Sequence, residues 1–126
     1  MLPHIALTVL PTKKNWKNSN STRYYAPEII EREPYNCFLA DVWATGVVLF
    51  AMLNNKFPFH FKDLKAMLRE QCSKTYKWRP DIEKDLGKEV KDLQARMFEP
   101  DVNKRITMAE VIDHPWVKRA KRKPLV

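Results

Sequence analysis

The chain has 126 residues, of which 44% are hydrophobic and only two are glycine. This length and composition predict a single packed, mainly helical domain and exclude a chain that is disordered throughout. Lysine and arginine outnumber aspartate and glutamate by 23 to 15, which gives a formal net charge of +8. Cys37 and Cys72 lack metal-ligand spacing and therefore predict reduced thiols in a cytoplasmic protein, without a zinc site.

The first 20 residues divide into an apolar start, MLPHIALTVL, and a polar, basic continuation, PTKKNWKNSN. Neither half has the period of a helix or a strand, and the start lacks the basic region of a secretory signal. We therefore predict that residues 1–20 are poorly ordered, with residues 5–10 either forming a short strand or adhering to the domain.

The longest apolar run covers residues 38–53, FLADVWATGVVLFAML, and only Asp41, Thr45 and Gly46 interrupt it. A helix that is apolar on all sides is normally enclosed by its neighbours. A buried strand is a weaker interpretation, because the run is long and contains helix-tolerant leucine, alanine and methionine. A membrane span is weaker still, because such spans need about 18 uncharged apolar residues. The run therefore predicts a buried central helix around which the rest of the chain packs.

Shorter elements flank this helix. Pro27 suits the first turn of a short helix that ends before Pro34, since the residue preceding a proline avoids the α region. Thr107 and Glu110 have the spacing of a capping box at the start of the last helix. Residues 57–61 are predicted to form an aromatic loop. Two amphipathic helices are predicted at residues 63–72 and 86–98, with a loop between them at residues 73–84.

Several motifs occur in order between residues 21 and 116: STRYYAPE, DVWATGV, FPF, EPD, RIT and HPW. Together they resemble the C-terminal half of a Ser/Thr protein kinase domain. The RIT and HPW ending resembles the calmodulin-dependent group, and the string PDVNKR resembles testis-specific Ser/Thr kinases. The resemblance implies a mainly α fold, the helical lobe of the kinase fold without its β-lobe and catalytic loop. It assigns this lobe to residues 21–117, leaving residues 1–20 as a non-matching segment and residues 118–126 as a basic tail.

The resemblance also implies roles for individual residues. Ser21, Thr22 and Tyr24 would form a platform beside the bound protein substrate. Glu28 would form a buried ion pair with Arg105, tying the activation segment to the last helices. A bidentate guanidinium–carboxylate pair would satisfy both desolvated charges.

The central helix carries three further residues of the resemblance. Asp41 would accept amide hydrogen bonds from a catalytic loop, Trp43 would pack toward the activation segment, and Gly46 would permit close approach of a neighbour. The other structural positions that the resemblance assigns are Ala26, Pro27, His114 and Trp116, the last as a core residue. No residue is predicted to be catalytic or to bind a cofactor or a metal.

Phosphoryl transfer needs a phosphate-binding lysine, metal ligands, a catalytic-loop aspartate and a glycine-rich cover. The sequence contains no G-x-G-x-x-G, V-A-I-K, H-R-D-x-x-x-x-N or D-F-G. We therefore expect this chain alone to be non-catalytic, as a truncated gene product, a splice product or a degenerate copy. ATP and magnesium are expected only for a full-length parent.

Two other functions stay open. A non-catalytic module that binds a protein partner fits the same residues, and the positive charge alone would suit nucleic acid. We expect a protein partner or substrate in the cytoplasm, with the nucleus as an alternative because of the basic run, and no membrane, nucleic acid or small-molecule ligand. Without a catalytic loop, the central helix would have an uncovered apolar side and an Asp41 without amide partners, and residues 1–10 could patch that side.

Overall fold

The computed structural model describes residues 8–9 and 20–122, with the side chains of residues 22–119. Its elements are two short strands, a 3₁₀ helix and seven α-helices. In chain order they are β1 (Thr8–Val9), the 3₁₀ helix (Asn20–Tyr24), α1 (Pro27–Ile30), β2 (Tyr35–Asn36), α2 (Cys37–Asn54), α3 (Leu64–Ser73), α4 (Pro80–Glu83), α5 (Lys88–Met97), α6 (Met108–Asp113) and α7 (Pro115–Arg122).

The fold is mainly α, as the sequence predicts. The described strands are two residues long and pair antiparallel, with Thr8 opposite Asn36 and Val9 opposite Tyr35. The strand β1 lies within the predicted segment of residues 5–10. The predictions for residues 1–7 and 10–19 lie outside the described residues. At the other end, α7 extends into the predicted basic tail as far as Arg122.

The central helix α2 begins and ends within one residue of its predicted limits. The Asn36 side chain caps it by accepting hydrogen bonds from the amides of Phe38 and Leu39, at 2.8 and 3.3 Å. Asn55 ends it in the left-handed conformation, with φ of 55°. Asparagine adopts this conformation more readily than most residues, and its occurrence there is a common way to end a helix.

One side of α2 forms the main core. Trp43, Val47 and Phe50 are buried there, with Trp43 and Val47 fully enclosed. Phe98, which follows α5, lies with its ring centroid 5.0 Å from that of Trp43 and 6.1 Å from that of Phe50. Aromatic pairs at these separations add to the stabilisation that comes from burying apolar area. This side is called the closed face below.

A second, smaller core joins α2 to the last helices. Val42 of α2 packs with residues of α5, α6 and the loop between them, and Trp116 and Val117 of α7 cover the cluster. The predicted capping box at the start of α6 is present, because the Thr107 hydroxyl accepts from the Glu110 amide while the Glu110 carboxylate accepts from the Thr107 amide. The buried members of this core are Val42, Leu93, Met97, Ile106 and Val111.

The prediction that α2 is enclosed on all sides is wrong. Its five exposed residues follow one another along one side, at positions 38, 41, 45, 48 and 52. Phe38 is 48% exposed and Met52 is 78% exposed. No described element covers this side, which is called the open face below, so apolar composition alone did not secure burial.

Among the described residues, α2 is the helix that passes the length and composition test for a membrane span, with mean hydropathy 1.7. Only 39% of that span is buried within the structure. Core helices of soluble proteins pass the same test, so this result is weak evidence for a membrane segment.

The prediction of a continuous loop over residues 73–84 is also wrong. Residues 80–83 form the short helix α4, with Pro80 in its first turn, where the missing N–H does no harm. Asn54 holds the preceding stretch to the end of α2: its side chain accepts from the Arg79 amide at 2.7 Å and donates to the Lys77 carbonyl at 3.4 Å. One turn of helix is too short for hydrophobic periodicity to reveal it.

Candidate functional site

The candidate site begins at the 3₁₀ helix and continues into α1. Ala26 precedes α1 in an extended conformation, and Pro27 occupies the first turn. Ala26, Pro27 and Glu28 are buried, so this segment is held against the rest of the domain. The structural roles that the resemblance implies for Ala26 and Pro27 stay predictions.

Glu28 and Arg105 form the predicted buried ion pair. The Arg105 Nη1 and Nη2 atoms donate to the two carboxylate oxygens of Glu28 at 2.7 and 2.8 Å. Their side chains are 0% and 10% exposed for Arg105 and Glu28, respectively. This two-bond arrangement compensates for the removal of both charges from water.

Additional partners fix the Arg105 guanidinium in place. It donates to the backbone carbonyls of Glu99 and Leu39, at 2.9 and 3.0 Å. Its central carbon also lies 5.1 Å from the centroid of the Trp43 ring, within the range of a cation–π contact. Arg105 therefore links α1, the closed face of α2 and the loop after α5.

The predicted platform residues lie on the 3₁₀ helix. The Thr22 hydroxyl donates to the Phe61 carbonyl at 3.3 Å. Tyr24 contacts Phe57 edge to face, with ring centroids 6.0 Å apart. Ser21 lies in the same turn, but its side chain is outside the described part of the structure. The aromatic loop of residues 57–61 therefore packs against the platform and holds it in place.

Two supports of this platform were not predicted from the sequence. The Arg23 guanidinium carbon lies 4.7 Å from the centroid of the Phe57 ring and 4.5 Å from that of Phe61. The buried Gln71 side chain of α3 donates to the Tyr25 carbonyl at 2.7 Å. The first support could have been recognised from the composition, because an arginine and two aromatic residues are involved. The contact between Gln71 and Tyr25 spans 46 residues and leaves no periodic signal in the sequence.

Gly46 permits the close approach that the resemblance implies. A β-carbon at this position would lie 3.0 Å from the Met97 β-carbon and 3.1 Å from the Phe98 ring. The Gln94 side chain donates to the Gly46 carbonyl at 2.9 Å in a buried site. Gly46 thus allows α5 to pack directly on the α2 backbone. Trp43, on the same closed face, contacts Arg105, which in turn binds Glu28 of α1.

Asp41 lies on the open face of α2, and its side chain has no hydrogen-bond partner in the part of the chain that the structure describes. The residue is exposed. Asp41 therefore lacks amide partners among the described residues, as expected, and water reaches it because nothing described covers this side. Its backbone carbonyl accepts from the Thr45 hydroxyl at 2.7 Å.

His114 and Trp116 tie the last helices together. The His114 Nε2 atom lies 2.9 Å from a carboxylate oxygen of Asp92, while its Nδ1 accepts from the Trp116 amide at 3.2 Å. Hydrogen bonds from His114 and then Arg96 hold the pKa of Asp92 below its ordinary value. His114 is buried and Trp116 is half-buried against the second core, so both have structural positions.

An open groove of about 500 Å³ lies at the junction of α5, α6 and α7, on residues other than those of the platform. Its acidic residues Glu89, Asp92 and Glu110 each contact a partner within the fold. The groove therefore offers a mixed polar and apolar surface rather than a concentrated charge. Its lining residues are Lys88, Glu89, Asp92, Arg96, Lys104, Ile106, Glu110, His114 and Pro115.

Among the described residues, no group of three or more His, Cys, Asp or Glu side chains could hold a metal ion. Asp41, which has no hydrogen-bond partner among the described residues, is a single carboxylate without neighbouring acidic ligands. Magnesium sites in kinases require several oxygen ligands together with the substrate phosphates. What the geometry does provide is a set of contacts that hold the 3₁₀ turn against the aromatic loop and α3.

The chain matches the protein kinase domain family over residues 6–117. It is 36% identical over 105 residues to testis-specific serine/threonine-protein kinase 2 of Mus musculus, covering 83% of this chain and 29% of that protein. It is also 36% identical over 99 residues to CBL-interacting protein kinase 22 of Oryza sativa subsp. japonica, covering 79% of this chain and 21% of that protein. The chain therefore belongs to the protein kinase domain family.

These relatives confirm the resemblance to Ser/Thr kinases that the motifs carry. The chain spans less than a third of the length of the curated relatives it matches. The family match begins at residue 6, upstream of the first motif at residue 21. The domain limits drawn from the motifs stay a prediction.

Proposed function

We propose that this chain forms the substrate-side part of the helical lobe of a Ser/Thr protein kinase. A protein with the complete domain would transfer the γ-phosphate of ATP to serine or threonine hydroxyls of other proteins. The observation that carries the proposal is the bidentate, buried pair between Glu28 and Arg105, which joins two kinase-like motifs 77 residues apart. The family match over residues 6–117 supports it independently.

The substrate would contact the turn formed by Ser21, Thr22 and Tyr24. The contacts of Thr22 with the Phe61 carbonyl and of Tyr24 with Phe57 support this role, because they fix the backbone of the turn. A peptide held on a pre-formed surface loses less conformational freedom on binding than one held on a surface that must first order. The turn would therefore orient the phosphoacceptor, and complete domains would supply the reacting groups.

By itself, this chain would not catalyse phosphoryl transfer. The reaction depends on electrostatic stabilisation of the transferring group by metal ions, a lysine and positioned donors. None of the four sequence motifs that supply these groups in protein kinases occurs in the chain. ATP and magnesium would belong to a complete domain, and we assign no residue of this chain to either.

A non-catalytic interaction module is the second candidate function. The open groove at the junction of α5, α6 and α7 favours it, since the groove is a concave surface separate from the platform residues. A protein partner in the cytoplasm fits either candidate, and neither requires a membrane, nucleic acid or a small molecule.

A chimera tests the first candidate. Residues 21–117 of this chain would replace the matching segment of the mouse testis-specific relative, whose own remaining segments would supply the catalytic motifs. We expect the chimera to phosphorylate a generic basic protein and the same chimera with Arg105→Leu to lose that activity. A chimera that is folded by circular dichroism but inactive would contradict the proposal.

A thermal shift assay on the unmodified 126-residue chain tests the non-catalytic part. We expect one melting transition whose midpoint does not change on addition of ATP with magnesium. A magnesium-dependent rise of the midpoint would contradict this expectation and would indicate a nucleotide site formed by the chain itself.

A further inference from the structure

Four exposed cations lie beside the platform, on the flanks of the aromatic loop and on α3. Lys56 immediately precedes the loop of residues 57–61, Lys62 immediately follows it, and Lys65 and Arg69 lie on the exposed side of α3. None of these four side chains makes a hydrogen bond or an ion pair within the part of the chain that the structure describes. The four residues are called the basic patch below.

The packing of the aromatic loop places the basic patch next to the platform. Phe57 and Phe61, the two ends of the loop, have ring centroids 6.3 Å apart. The Arg23 guanidinium of the 3₁₀ helix lies over both rings. Because Lys56 and Lys62 are the chain neighbours of these two aromatic residues, they follow directly on the rings that hold the turn. The basic patch therefore adjoins the surface on which a substrate would rest.

The carboxylates on the same stretch of chain are already engaged. Between Lys56 and Ser73 the chain carries only two acidic residues, Asp63 and Glu70. The Asp63 side chain caps α3 by accepting from two amides of its first turn, at 3.0 and 3.4 Å. Glu70 accepts from the His60 amide at 3.0 Å and also contacts the His60 ring. Four cations against two engaged carboxylates leave an excess of positive charge on this surface.

We propose that the basic patch binds acidic side chains of the protein substrate. The lobe would then select segments with aspartate or glutamate close to the residue that rests on the platform. This inference depends on the proposed function for the identity of the bound segment as a substrate. Complementary charges at an exposed surface contribute mainly to the choice of partner, because each exposed ion pair is weak on its own.

The size of the basic patch limits the length of the acidic run that it can recognise. Lys65 and Arg69 are about 6 Å apart along the axis of α3. An extended peptide advances about 3.3 Å per residue, so it covers this distance in about two residues. We therefore expect recognition of a short acidic run, of about two to four residues in succession.

Peptide titration of the 126-residue chain, followed by NMR, tests the basic patch without requiring any activity. The probes are two peptides of equal length with a central serine, one with glutamates beside the serine and one with glutamines in their place. The acidic peptide should bind about three- to tenfold more tightly, because several exposed ion pairs add modest contributions. It should also shift the amide signals of residues 56–69.

Salt gives a second measurement of the same titration. The screening length falls to about 3 Å at 1 M salt, so the preference for the acidic peptide should disappear there. Equal affinities for the two peptides at low salt would overturn the inference. Failure of the acidic peptide to bind at millimolar concentration would also overturn it.

Charge reversal separates the basic patch from the overall charge of the chain. Lys62→Glu with Lys65→Glu should raise the dissociation constant of the acidic peptide about tenfold. Lys88→Glu with Lys104→Glu is the matched control, because it makes the same change of net charge at two exposed lysines of the groove. The control should stay within about twofold of the unmodified chain. Equal weakening by both double variants would mean non-specific attraction and would contradict the inference.

The chimera described above distinguishes this inference from the proposed function. The acidic peptide should have a lower KM than the neutral one with a similar kcat, as expected for an interaction that contributes to substrate binding alone. Lys62→Glu with Lys65→Glu should raise this KM toward that of the neutral peptide. An active chimera without the preference would overturn the inference and leave the proposed function intact. A folded but inactive chimera would contradict the proposed function, and the titration would still decide whether the basic patch binds acidic segments.

Nucleic acid is the other anionic partner that a basic surface suits. The basic patch favours a peptide, because it is small and adjoins the turn proposed to hold the substrate. A single-stranded oligonucleotide should therefore bind more weakly than the acidic peptide, without shifts concentrated at residues 56–69. Tighter binding that shifts these signals and is lost in the variant with Lys62→Glu and Lys65→Glu would identify a nucleic-acid surface and overturn the inference.

Discussion

The two faces of α2 both carry large apolar side chains but have opposite environments. Val47 and Val48 are adjacent in sequence, yet Val47 is 0% exposed and Val48 is 44% exposed. Phe50 on the closed face contacts Trp78 and Phe98, whereas Phe38 on the open face is half exposed. The apolar area of a side chain determines how much its burial would stabilise the fold. The neighbouring elements determine whether that burial occurs.

The closed face is where the kinase-like motifs meet. Arg105, Glu28 and Trp43 connect α1, the central helix and the loop after α5. The open face carries Asp41, for which the kinase resemblance implies a partner that no described residue supplies. The closed face is therefore packed by residues of this chain, whereas no described residue packs on the open face.

Removing one side of the Glu28–Arg105 pair should have the largest effect on the closed face. We expect Glu28→Gln or Arg105→Leu to lower the free energy of unfolding by about 3–5 kcal/mol, because each leaves a buried polar partner uncompensated. Urea denaturation with circular dichroism measures both. The double variant should lose less than the sum, and strict additivity would mean that the two residues are not coupled.

The adjacent valines compare the faces directly. Val47→Ala should lower the free energy of unfolding by roughly 2 kcal/mol, since it removes buried methyl groups and leaves a cavity. Val48→Ala should change it by less than about 0.5 kcal/mol, as expected for an exposed site. Both are measured by urea unfolding at low micromolar concentration. Equal losses at the two positions would show that the open face is covered in solution.

The two glycines sharpen the comparison at the backbone. Gly46→Ala should destabilise the fold by about 1–2 kcal/mol, because its β-carbon would lie 3.0 Å from that of Met97. Gly87→Ala is the control, since a β-carbon there meets no atom within 4 Å. Thermal unfolding should show a lower midpoint for the first variant only. A stabilised Gly46→Ala variant would mean that α5 does not pack closely on α2.

The smallest expected effect is a pH dependence from Asp92. Its pKa is lowered by hydrogen bonds from His114 and Arg96, from an ordinary value of 3.8. The interaction therefore stabilises the fold fully above about this pH and is lost as the pH falls through the lower folded-state pKa. Because the side chain is half exposed, we expect under about 1 kcal/mol. Asp92→Asn should flatten this part of the acid unfolding profile, and an unchanged profile would contradict the assignment.

Sequence patterns predicted the longer helices well because those helices carry their own signals, but they missed the short helix α4. The limits of α2 were within one residue, and the capping box of Thr107 and Glu110 was found as expected. The Glu28–Arg105 pair came from the kinase resemblance instead, since its partners are 77 residues apart and have no shared period. The open face of α2 was expected from the absence of a catalytic-loop motif and not from hydropathy, which says nothing about which neighbours are present. Gln71 and Gln94 were missed because polar side chains on amphipathic helices normally face solvent.

Methionine oxidation tests the asymmetry of α2 most directly. Met52 on α2 is 78% exposed, whereas Met67 and Met97, which belong to the helices packed on or near the closed face, are 0% and 1% exposed. After brief peroxide treatment at low micromolar concentration, mass spectrometry should find Met52 oxidised first and Met67 and Met97 last. A Met52 that reacts as slowly as Met67 would contradict an open face on α2.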